Sequence, residues 1–233
     1  MLSYDHYHFF KSDRDGEQYF ENLELVREAA LKANIPFINT IQANTSLVTW
    51  RVPNPQELRF LVFTTILYGG RGISYFTYWT QSQFNGLYQD GHPGPLMPAV
   101  VTLNHEMKNF GLILMTLHSL AVYHTAPLPL RAHAVPASSP VQIFGSGSFV
   151  LGLFGDDNRD GTTVSDNPIV FMVLNRNYHV PSQATVSVTS PWHYLQELDR
   201  STGRWMNEVP LDKGGFIKVT LALGDGKLFK FAR

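Results

Sequence analysis

The sequence predicts an α/β region followed by an all-β region. In the first half of the chain, apolar runs alternate with amphipathic helical patterns, which is typical of parallel strands joined by right-handed helical crossovers. In the second half, short β-type runs are separated by turn signals such as Thr202-Gly203, which indicates an antiparallel β-sandwich. We therefore predict a partial (β/α) barrel of three strand–helix units at 1–125 and a C-terminal β-sandwich at 126–233.

Capping and stop signals define the helices and strands of the first region. Asn54 and Pro55 predict a helix start, since asparagine caps helices and proline suits their first turn. Asn34 and Pro36 end the helix before it. The glycine turn at 69–72 leads into an almost wholly apolar or aromatic strand, as expected for a covered parallel strand. In chain order, the predicted strands lie at 3–7, 36–42 and 72–79, and the predicted helices lie at 18–34, from Pro55 onward and at 98–122.

The boundary between the two regions is predicted in the proline-rich stretch at 125–136. After it, runs rich in β-branched and aromatic residues are bounded by turn residues, so each run is predicted to be a strand. These runs lie at 141–144, 149–154, 169–175, 184–189, 194–198, 216–221 and 228–231.

Composition argues against several classes of partner. The formal net charge is −1 and no basic stripe is present, so no nucleic-acid partner is expected. No apolar run approaches the roughly 20 residues needed to span a bilayer, so no membrane partner is expected. The N-terminus lacks the basic and apolar segments of a signal peptide, and we expect none. Cysteine is absent, which excludes a disulfide framework and Cys-ligated metals.

Motifs for metals and cofactors are also weak, and we expect neither a cofactor nor a catalytic zinc. The histidines are scattered without HExxH spacing, and no GxGxxG or P-loop pattern is present. Residues 156–161 match the first half of a calcium loop, but Asn167 stands where the bidentate glutamate is required. A hairpin turn is the better interpretation of this segment.

Candidate site residues lie at the predicted carboxyl ends of the strands, where α/β barrels bind their ligands. Asp5, followed by His6 and Tyr7, can bind a hydroxyl group or act as an acid or base; the alternative is an aspartate that caps the next loop. Gln42 and Asn44 end the second strand. There Gln42 can hydrogen-bond a ligand hydroxyl or be a satisfied interior amide.

Aromatic residues supply the remaining candidates. The chain is 13% aromatic, which suits flat ligands such as sugar rings as well as a large core. Trp79 can form a platform under a sugar or be a core tryptophan, whereas Tyr78 alternates to the opposite side and is predicted to be structural. Trp50 and Arg51 lie on a predicted rim loop, where they can bind a ligand or pack on a neighbouring subunit.

A set of short motifs is distributed along nearly the whole chain. They are Asp5-His6-Tyr7, residues 22–27, Ile35-Pro36-Phe37, Ile41-Gln42, residues 55–59, residues 68–79, residues 86–91 and Asn104-His105-Glu106, and in the second region residues 150–154, 173–177 and 224–229. Taken together, these motifs resemble those of glycoside hydrolases of the (β/α)8-barrel retaining clan. β-Galactosidase-like and related uncharacterised bacterial members are the most similar.

The resemblance implies the C-terminal part of a barrel followed by a β-sandwich, with a carbohydrate as substrate or ligand. A complete barrel takes about 250 residues, so we expect a truncated member. The resemblance implies that the three units correspond to the sixth, seventh and eighth of the family. The family's acid/base glutamate lies on the fourth strand and its nucleophile at the end of the seventh. Here that strand ends in residues 40–44, which contain no carboxylate. The alternative is a non-catalytic carbohydrate-binding or assembly module.

A half-barrel also predicts an oligomer, most simply a two-fold dimer. Its first and last strands are edges with unpaired backbone groups, which favour pairing with another chain. Its inner face is expected to carry large apolar side chains that a complete barrel buries, and two copies can cover each other's faces. The residues expected there are Ile38, Thr40, Ile73, Tyr75 and Thr77, or their alternates.

Overall fold

A computed structural model describes residues 1–12, 15–46, 48–156, 167–189 and 191–232. The chain divides into two compact units, Met1–Asn104 and His105–Arg233. This division comes earlier in the chain than the predicted boundary after residue 125. No helix in the described part of the chain is long and apolar enough to cross a membrane. Most of the 156–161 segment, for which a hairpin turn is predicted, lies outside the described residues.

The chain contains three described helices and seventeen described strands. The helices are α1 (Tyr19–Ala33), α2 (Pro55–Leu67) and α3 (Met97–Leu114). The strands are β1 (Leu2–Asp5), β2 (Phe37–Gln42), β3 (Thr45–Ser46), β4 (Gly72–Phe76), β5 (Phe84–Asn85), β6 (Tyr88–Gln89), β7 (His92–Pro93), β8 (Leu117–His124), β9 (Val141–Phe144), β10 (Phe149–Asp156), β11 (Val170–Asn175), β12 (Ser182–Val188), β13 (Tyr194–Asp199), β14 (Arg204–Trp205), β15 (Val209–Pro210), β16 (Phe216–Leu221) and β17 (Gly226–Ala232).

The first unit contains a three-stranded parallel sheet in the order β1-β2-β4. Helix α1 connects β1 to β2, and α2 connects β2 to β4, so the predicted alternation of strands and helices is confirmed here. Within the described residues the sheet does not close into a barrel. Its third strand ends at Phe76, so Tyr78 and Trp79 follow the strand and do not end it as predicted.

A capping box fixes the start of α2 and confirms the prediction from the sequence. The Asn54 side chain accepts hydrogen bonds from the backbone N–H groups of Gln56 and Glu57, each at 2.9 Å. In return, the Glu57 carboxylate accepts from the backbone N–H of Asn54 at 2.8 Å. These reciprocal bonds satisfy N–H groups that have no partner within the helix. They fix the entry of the chain into α2, directly after the loop that carries Trp50 and Arg51.

The two faces of the parallel sheet differ in chemistry. On one face, β2 buries Phe37, Asn39 and Ile41, and Asn39 donates a 2.8 Å hydrogen bond to Thr65 of α2. The opposite face, called the open face below, carries smaller and more polar side chains that are exposed or partly exposed. In the strands, the exposed or partly exposed residues of the open face are Ser3, Asp5, Ile38, Thr40, Gly72, Ser74 and Phe76, and the buried Gln42 lies on the same side of β2.

The strand register corrects the expected composition of this face. Ile38 pairs with Gly72, and Thr40 pairs with Ser74. Paired residues of adjacent strands point to the same side of a sheet, so Ile73 and Tyr75 belong to the helix-covered face. The expectation that these two residues share a face with Ile38 and Thr40 is therefore wrong, and the open face is less apolar than the sequence suggested.

The predicted extension of the third helix to residue 122 is also wrong. Helix α3 ends at Leu114, and Leu117–His124 forms β8, which pairs with β10 in antiparallel orientation. Leu114, Leu117 and Ala121 have helical spacing, but the same segment satisfies its backbone groups in the ladder with β10. The apolar spacing of such a short segment does not distinguish these outcomes.

The second unit consists mainly of two antiparallel sheets. The larger has the order β14-β13-β17-β11-β10-β8 with β15 paired to β13, and the smaller has the order β16-β12-β9. One cluster of buried side chains includes residues from both sheets, such as Leu151 and Phe171 from the larger and Val186 from the smaller. This arrangement is consistent with the predicted β-sandwich. All seven predicted β-type runs in this region are strands in the structure, with small shifts at their ends.

Candidate functional site

A row of hydrogen-bonding side chains crosses the open face. Asp5, Thr40 and Ser74 are direct neighbours in the register of β1, β2 and β4. The hydroxyls of Thr40 and Ser74 are hydrogen-bonded at 3.0 Å, and the carboxylate of Asp5 is exposed at the carboxyl end of β1. Because adjacent strands lie about 4.8 Å apart, the three side chains form a continuous polar strip. We call these three residues the polar row.

Four aromatic rings lie beside this end of the sheet. Tyr7 stacks on Phe76 with ring centroids 5.4 Å apart, and Trp50 meets the Tyr7 ring edge-on at 4.8 Å. Phe84 contacts both Phe76, at 5.4 Å, and Trp50, at 6.3 Å. We call Tyr7, Trp50, Phe76 and Phe84 the rim cluster. It joins residues from the segment after β1, the loop after β3, the end of β4 and the short strand β5.

Asp5 links the polar row to the rim cluster. Its carboxylate is hydrogen-bonded to the hydroxyl of Tyr7. Burial of the Tyr7 hydroxyl, followed by the charge of Asp5 and this bond, raises the pKa of Tyr7 above its ordinary value. Tyr7 therefore stays protonated and donates to Asp5. The other oxygen of an exposed carboxylate can accept a hydrogen bond from a ligand.

His6 faces a different environment from its neighbours. Its Nδ1 accepts a 2.8 Å hydrogen bond from the side-chain amide of Asn22 in α1, and its ring packs edge-on against Tyr19 at 5.5 Å. Burial lowers the pKa of His6 below its ordinary value, although the charge of Asp5 opposes this shift. The structure therefore pairs Asp5 with Tyr7, whereas His6 lies among residues of α1.

Gln42 and Asn44 are both fully buried. The side-chain amide of Gln42 donates to the backbone carbonyls of Phe9 and Arg51 and accepts from the Phe9 N–H, each at 2.9 Å. Of the two alternatives, this is the geometry of a satisfied interior amide, and it ties β2 to two loops. The amide of Asn44 has no hydrogen-bond partner within the described residues. Gln42 lies on the same side of β2 as Thr40, but it is buried and its amide is bonded to the backbone at Phe9 and Arg51, so it is not exposed on the open face.

Trp50 and Arg51 are adjacent but have different surroundings. Trp50 belongs to the rim cluster, whereas the Arg51 guanidinium makes two short contacts with the Glu57 carboxylate, at 2.6 and 2.7 Å. Arg51 also lies 4.9 Å from the ring centre of Phe9. Glu57 is only 2% exposed. Glu57 on α2 therefore forms a salt bridge with Arg51. It anchors the loop that presents Trp50.

Trp79 is 61% exposed and is therefore not the core tryptophan of the alternative interpretation. Its ring contacts are with Tyr78 at 5.5 Å and Tyr88 at 6.2 Å. Backbone hydrogen bonds fix this loop, including one of 2.8 Å from the Tyr88 N–H to the Tyr78 carbonyl. Tyr78, predicted to be structural, is itself 49% exposed. These three rings form an exposed aromatic patch that follows β4.

The arrangement offers hydrogen bonding and ring stacking next to one another. Asp5 is the only carboxylate on the described strands of this sheet. Retaining hydrolysis of a glycoside requires two carboxyl groups about 5–5.5 Å apart, so these strands alone do not supply the pair. The functional candidates that sequence reasoning missed are Thr40, Ser74, Phe76 and Phe84. The period-two alternation of β2 could have indicated Thr40, but the other three depend on the strand register and the loop path.

Comparison with known proteins gives only distant likenesses. No protein-family model matches the sequence, and no curated protein matches it. One similar structure is a GH27 β-L-arabinopyranosidase from Geobacillus stearothermophilus, with 8% identity and a TM-score of 0.45 over 99% of this chain and 57% of that one. Another is a GH family 44 endoglucanase from Clostridium thermocellum, with 10% identity and a TM-score of 0.29 over 94% of this chain and 51% of that one. The chain thus spans little more than half the length of either structure, and at such TM-scores neither likeness carries an argument about function.

Proposed function

We propose that this chain is a glycoside hydrolase-like protein that binds a carbohydrate on the open face and rim of its parallel sheet. The observation that carries the proposal is the polar row next to the rim cluster. Sugars present hydroxyl groups around a ring with flat apolar faces, so they match adjacent hydrogen-bonding and aromatic surfaces. In this role, the row of Asp5, Thr40 and Ser74 binds hydroxyls, while Tyr7 and Trp50 contact the ring. The exposed Trp79 supplies a further stacking surface.

The sequence motifs support a finer version of the proposal. Parallel strands alternating with helices, with helices over one face and a polar opposite face, are the pattern expected for part of a (β/α) barrel. From the sequence motifs we infer that the chain is related to β-galactosidase-like retaining enzymes. Asp5 is then the candidate acid or base, in contact with Tyr7.

A second candidate function is a non-catalytic carbohydrate-binding or assembly module. The observation that favours it is the single carboxylate on the described strands of the sheet. Arg51 and Glu57 neutralise each other at the rim, so neither offers a free charge for catalysis. The two candidates share the same ligand class and differ in whether the bound glycoside is cleaved.

Tryptophan resonances offer a direct test of binding. The chain contains four tryptophans, so incorporation of 5-fluorotryptophan gives four ¹⁹F signals, each assignable by a Trp→Phe replacement. Galactose, glucose and short oligosaccharides are expected to shift the signals of Trp50 and Trp79.

Asp5→Asn and Thr40→Val are expected to weaken binding about tenfold, which corresponds to about 1.4 kcal/mol. Thr102→Val, on the exposed surface of α3, is the matched control and should leave binding unchanged. Unshifted Trp50 and Trp79 signals at several hundred millimolar sugar, an order-of-magnitude limit for weak binding, contradict the proposal.

Aryl glycosides separate the two candidates. Turnover that is lost in Asp5→Asn supports an enzyme in which Asp5 takes part. Binding without turnover supports the non-catalytic module. Turnover that is the same in Asp5→Asn and Trp79→Ala excludes both residues from the catalytic site.

We also infer that the chain forms a two-fold dimer through its parallel sheet. Strands β1 and β4 are the edges of that sheet, and exposed edges favour strand pairing. The open face is more polar than expected, so edge pairing and not apolar burial supports this inference. Sedimentation at micromolar concentration should give a species of twice the 26.3 kDa chain mass. A single species at the mass of one chain contradicts the dimer.

A further inference from the structure

The second unit contains a cleft of about 600 Å³, within the range of about 300–1,000 Å³ typical of small-molecule sites. One wall comes from the end of β12 in the smaller sheet, including Ser187 and Val188. The other comes from the start of β13 and from β15 in the larger sheet, including Tyr194 and Pro210. All of its lining residues lie in the second unit, so the cleft does not involve the polar row or the rim cluster.

A rigid turn forms one side of the cleft. The Asp212 carboxylate accepts hydrogen bonds from the N–H groups of Gly214 at 2.8 Å and Phe216 at 2.9 Å. The N–H of Val188 donates to the carbonyl of Gly215 at 2.9 Å, which ties the turn to β12. Gly215 has φ of +78°, and a Cβ there would lie 2.7 Å from the Val188 carbonyl oxygen. The turn therefore requires glycine at this position and is fixed before any ligand arrives.

An anchored tryptophan and a partly exposed tyrosine form the other side. Trp192 lines the cleft, and its ring stacks on Phe231 with centroids 5.3 Å apart and an interplanar angle of 25°. Tyr194, at the start of β13, is 37% exposed and also lines the cleft. Leu211 donates a 2.9 Å backbone hydrogen bond to the carbonyl of His193, which joins this side to the turn. Rings that are already held in place lose little conformational freedom on binding.

The chemistry of the lining favours a neutral ligand with many hydroxyl groups. Asp212 and Lys213 are adjacent and of opposite charge, so the cleft does not select strongly for an anion or a cation. Thr189 and His193 add further hydrogen-bonding groups beside the rings of Trp192 and Tyr194. We propose that this cleft is a second carbohydrate-binding site, specific for neutral sugars, and that it acts independently of the open face.

The fluorinated protein tests this site with the same probes. Trp192 lines the cleft, whereas Trp205 lies on β14, is not among the lining residues and serves as the internal reference. Titration with neutral galactose, glucose or their short oligosaccharides is expected to shift the Trp192 signal saturably and to leave Trp205 in place. Glucuronate and glucosamine, which carry opposite charges, are expected to bind no more tightly than the neutral sugars.

Two replacements at exposed positions test the assignment without disturbing the core. Tyr194→Ala removes a partly exposed ring and Lys213→Ala a side chain at the tip of the turn, and each is expected to weaken the Trp192 response about tenfold. Phe144→Ala is the matched control, because Phe144 is exposed on the smaller sheet and is not among the lining residues. It should leave the Trp192 response unchanged. Trp192 itself is not replaced in the binding test, since its ring packs on Phe231.

The pattern of shifted tryptophan signals shows whether the cleft binds sugar. A Trp192 shift that is weakened by Tyr194→Ala supports the cleft, whether or not Trp50 and Trp79 respond. Shifts confined to Trp50 and Trp79 overturn the cleft and support the open face. A Trp192 shift that Tyr194→Ala and Lys213→Ala leave unchanged, or one shared equally by Trp205, overturns the cleft, as does tighter binding of either charged sugar.

Discussion

The parallel sheet of the first unit and the paired sheets of the second unit use their faces differently. In the second unit, alternating side chains of both sheets enter one apolar cluster, in which Phe171, Val186 and Leu221 are completely buried. In the first unit, only one face of the sheet is packed against helices, and the other carries the polar row. The need to bury apolar surface explains why the inward-facing residues of the second unit are apolar. Core packing does not explain why an aspartate and two hydroxyl groups are aligned across an exposed sheet. For this reason the open face is a stronger candidate for a binding site than the sheet faces of the second unit.

The largest loss of stability is expected from a cavity in the buried cluster that the two sheets of the second unit share. Phe171 is fully buried and contacts Phe229 and Phe231 at 5.3 and 5.2 Å. Phe171→Ala should lower the free energy of unfolding by about 3–5 kcal/mol, because it removes buried apolar area and leaves a cavity. Phe144→Ala, at an exposed ring, should cost less than about 1 kcal/mol. Chemical denaturation measures both, and equal losses would show that the shared cluster is not the main source of stability.

The next largest loss of stability is expected when the ion pair that anchors the Trp50 loop is removed. Glu57→Gln keeps the shape of the side chain but removes the charge that pairs with Arg51 and weakens the bond to the Asn54 N–H. We expect a loss of about 2–3 kcal/mol, because the bonds lost are charge-assisted and the guanidinium loses its short contacts with the Glu57 carboxylate. Glu17→Gln, at an exposed position near the start of α1, is the control and should change stability by less than about 0.5 kcal/mol. A loss as small as the control's would mean that this ion pair does not hold the loop.

Buried histidines make the stability of both units depend on pH. Burial lowers the pKa of His8 and of His124 to about 3, from the ordinary value of 6.5. The neighbouring His6 lowers the pKa of His8 further, and Arg176 lowers that of His124 further. Between these values the unfolded chain binds the proton and the folded chain does not. Stability is therefore fully present above about pH 6.5 and falls as the pH drops toward 3, by about 1.4 kcal/mol per pH unit for each histidine.

A replacement that cannot titrate isolates the contribution of His124. Its Nδ1 lies 3.1 Å from the Arg176 guanidinium and accepts a hydrogen bond from it. His124→Gln keeps an acceptor there, so it should reduce the loss of stability between pH 6.5 and 4, measured by denaturation at each pH. Thr102→Val, at an exposed position that does not titrate, is the control and should leave the slope unchanged. If His124→Gln also leaves it unchanged, His124 does not contribute to the acid sensitivity.

The sequence predicted local structure well and long-range pairing poorly. The start of α2 was predictable because Asn54 and Pro55 specify a helix cap within a few residues. Strand β8 was missed because the spacing of Leu117 and Ala121 fits a helix, and only pairing with the distant β10 makes this segment a strand. The same limit applies to the site. Asp5 was found from its position at a strand end, but its alignment with Thr40 and Ser74 depends on the register of three strands.

The smallest change in stability is expected for Thr40→Val on the open face. It is best compared with Thr65→Val on the opposite side of the parallel sheet. Thr65 of α2 is fully buried, accepts from Asn39 at 2.8 Å and donates to the Leu61 carbonyl at 2.8 Å. Thr65→Val leaves the Asn39 amide buried without this acceptor and should cost about 1–3 kcal/mol. Thr40→Val loses only an exposed bond to Ser74 and keeps a β-branched residue in the strand, so it should change stability by less than about 0.5 kcal/mol.

Stability and binding should therefore respond in opposite ways to these two changes. Thr40→Val is expected to weaken carbohydrate binding at the open face while leaving the denaturation midpoint nearly unchanged. Thr65→Val is expected to lower the midpoint and, under conditions where the protein remains folded, to leave binding intact. If Thr40→Val costs as much stability as Thr65→Val, the polar row serves the fold, and the physical reason for assigning it to a ligand disappears.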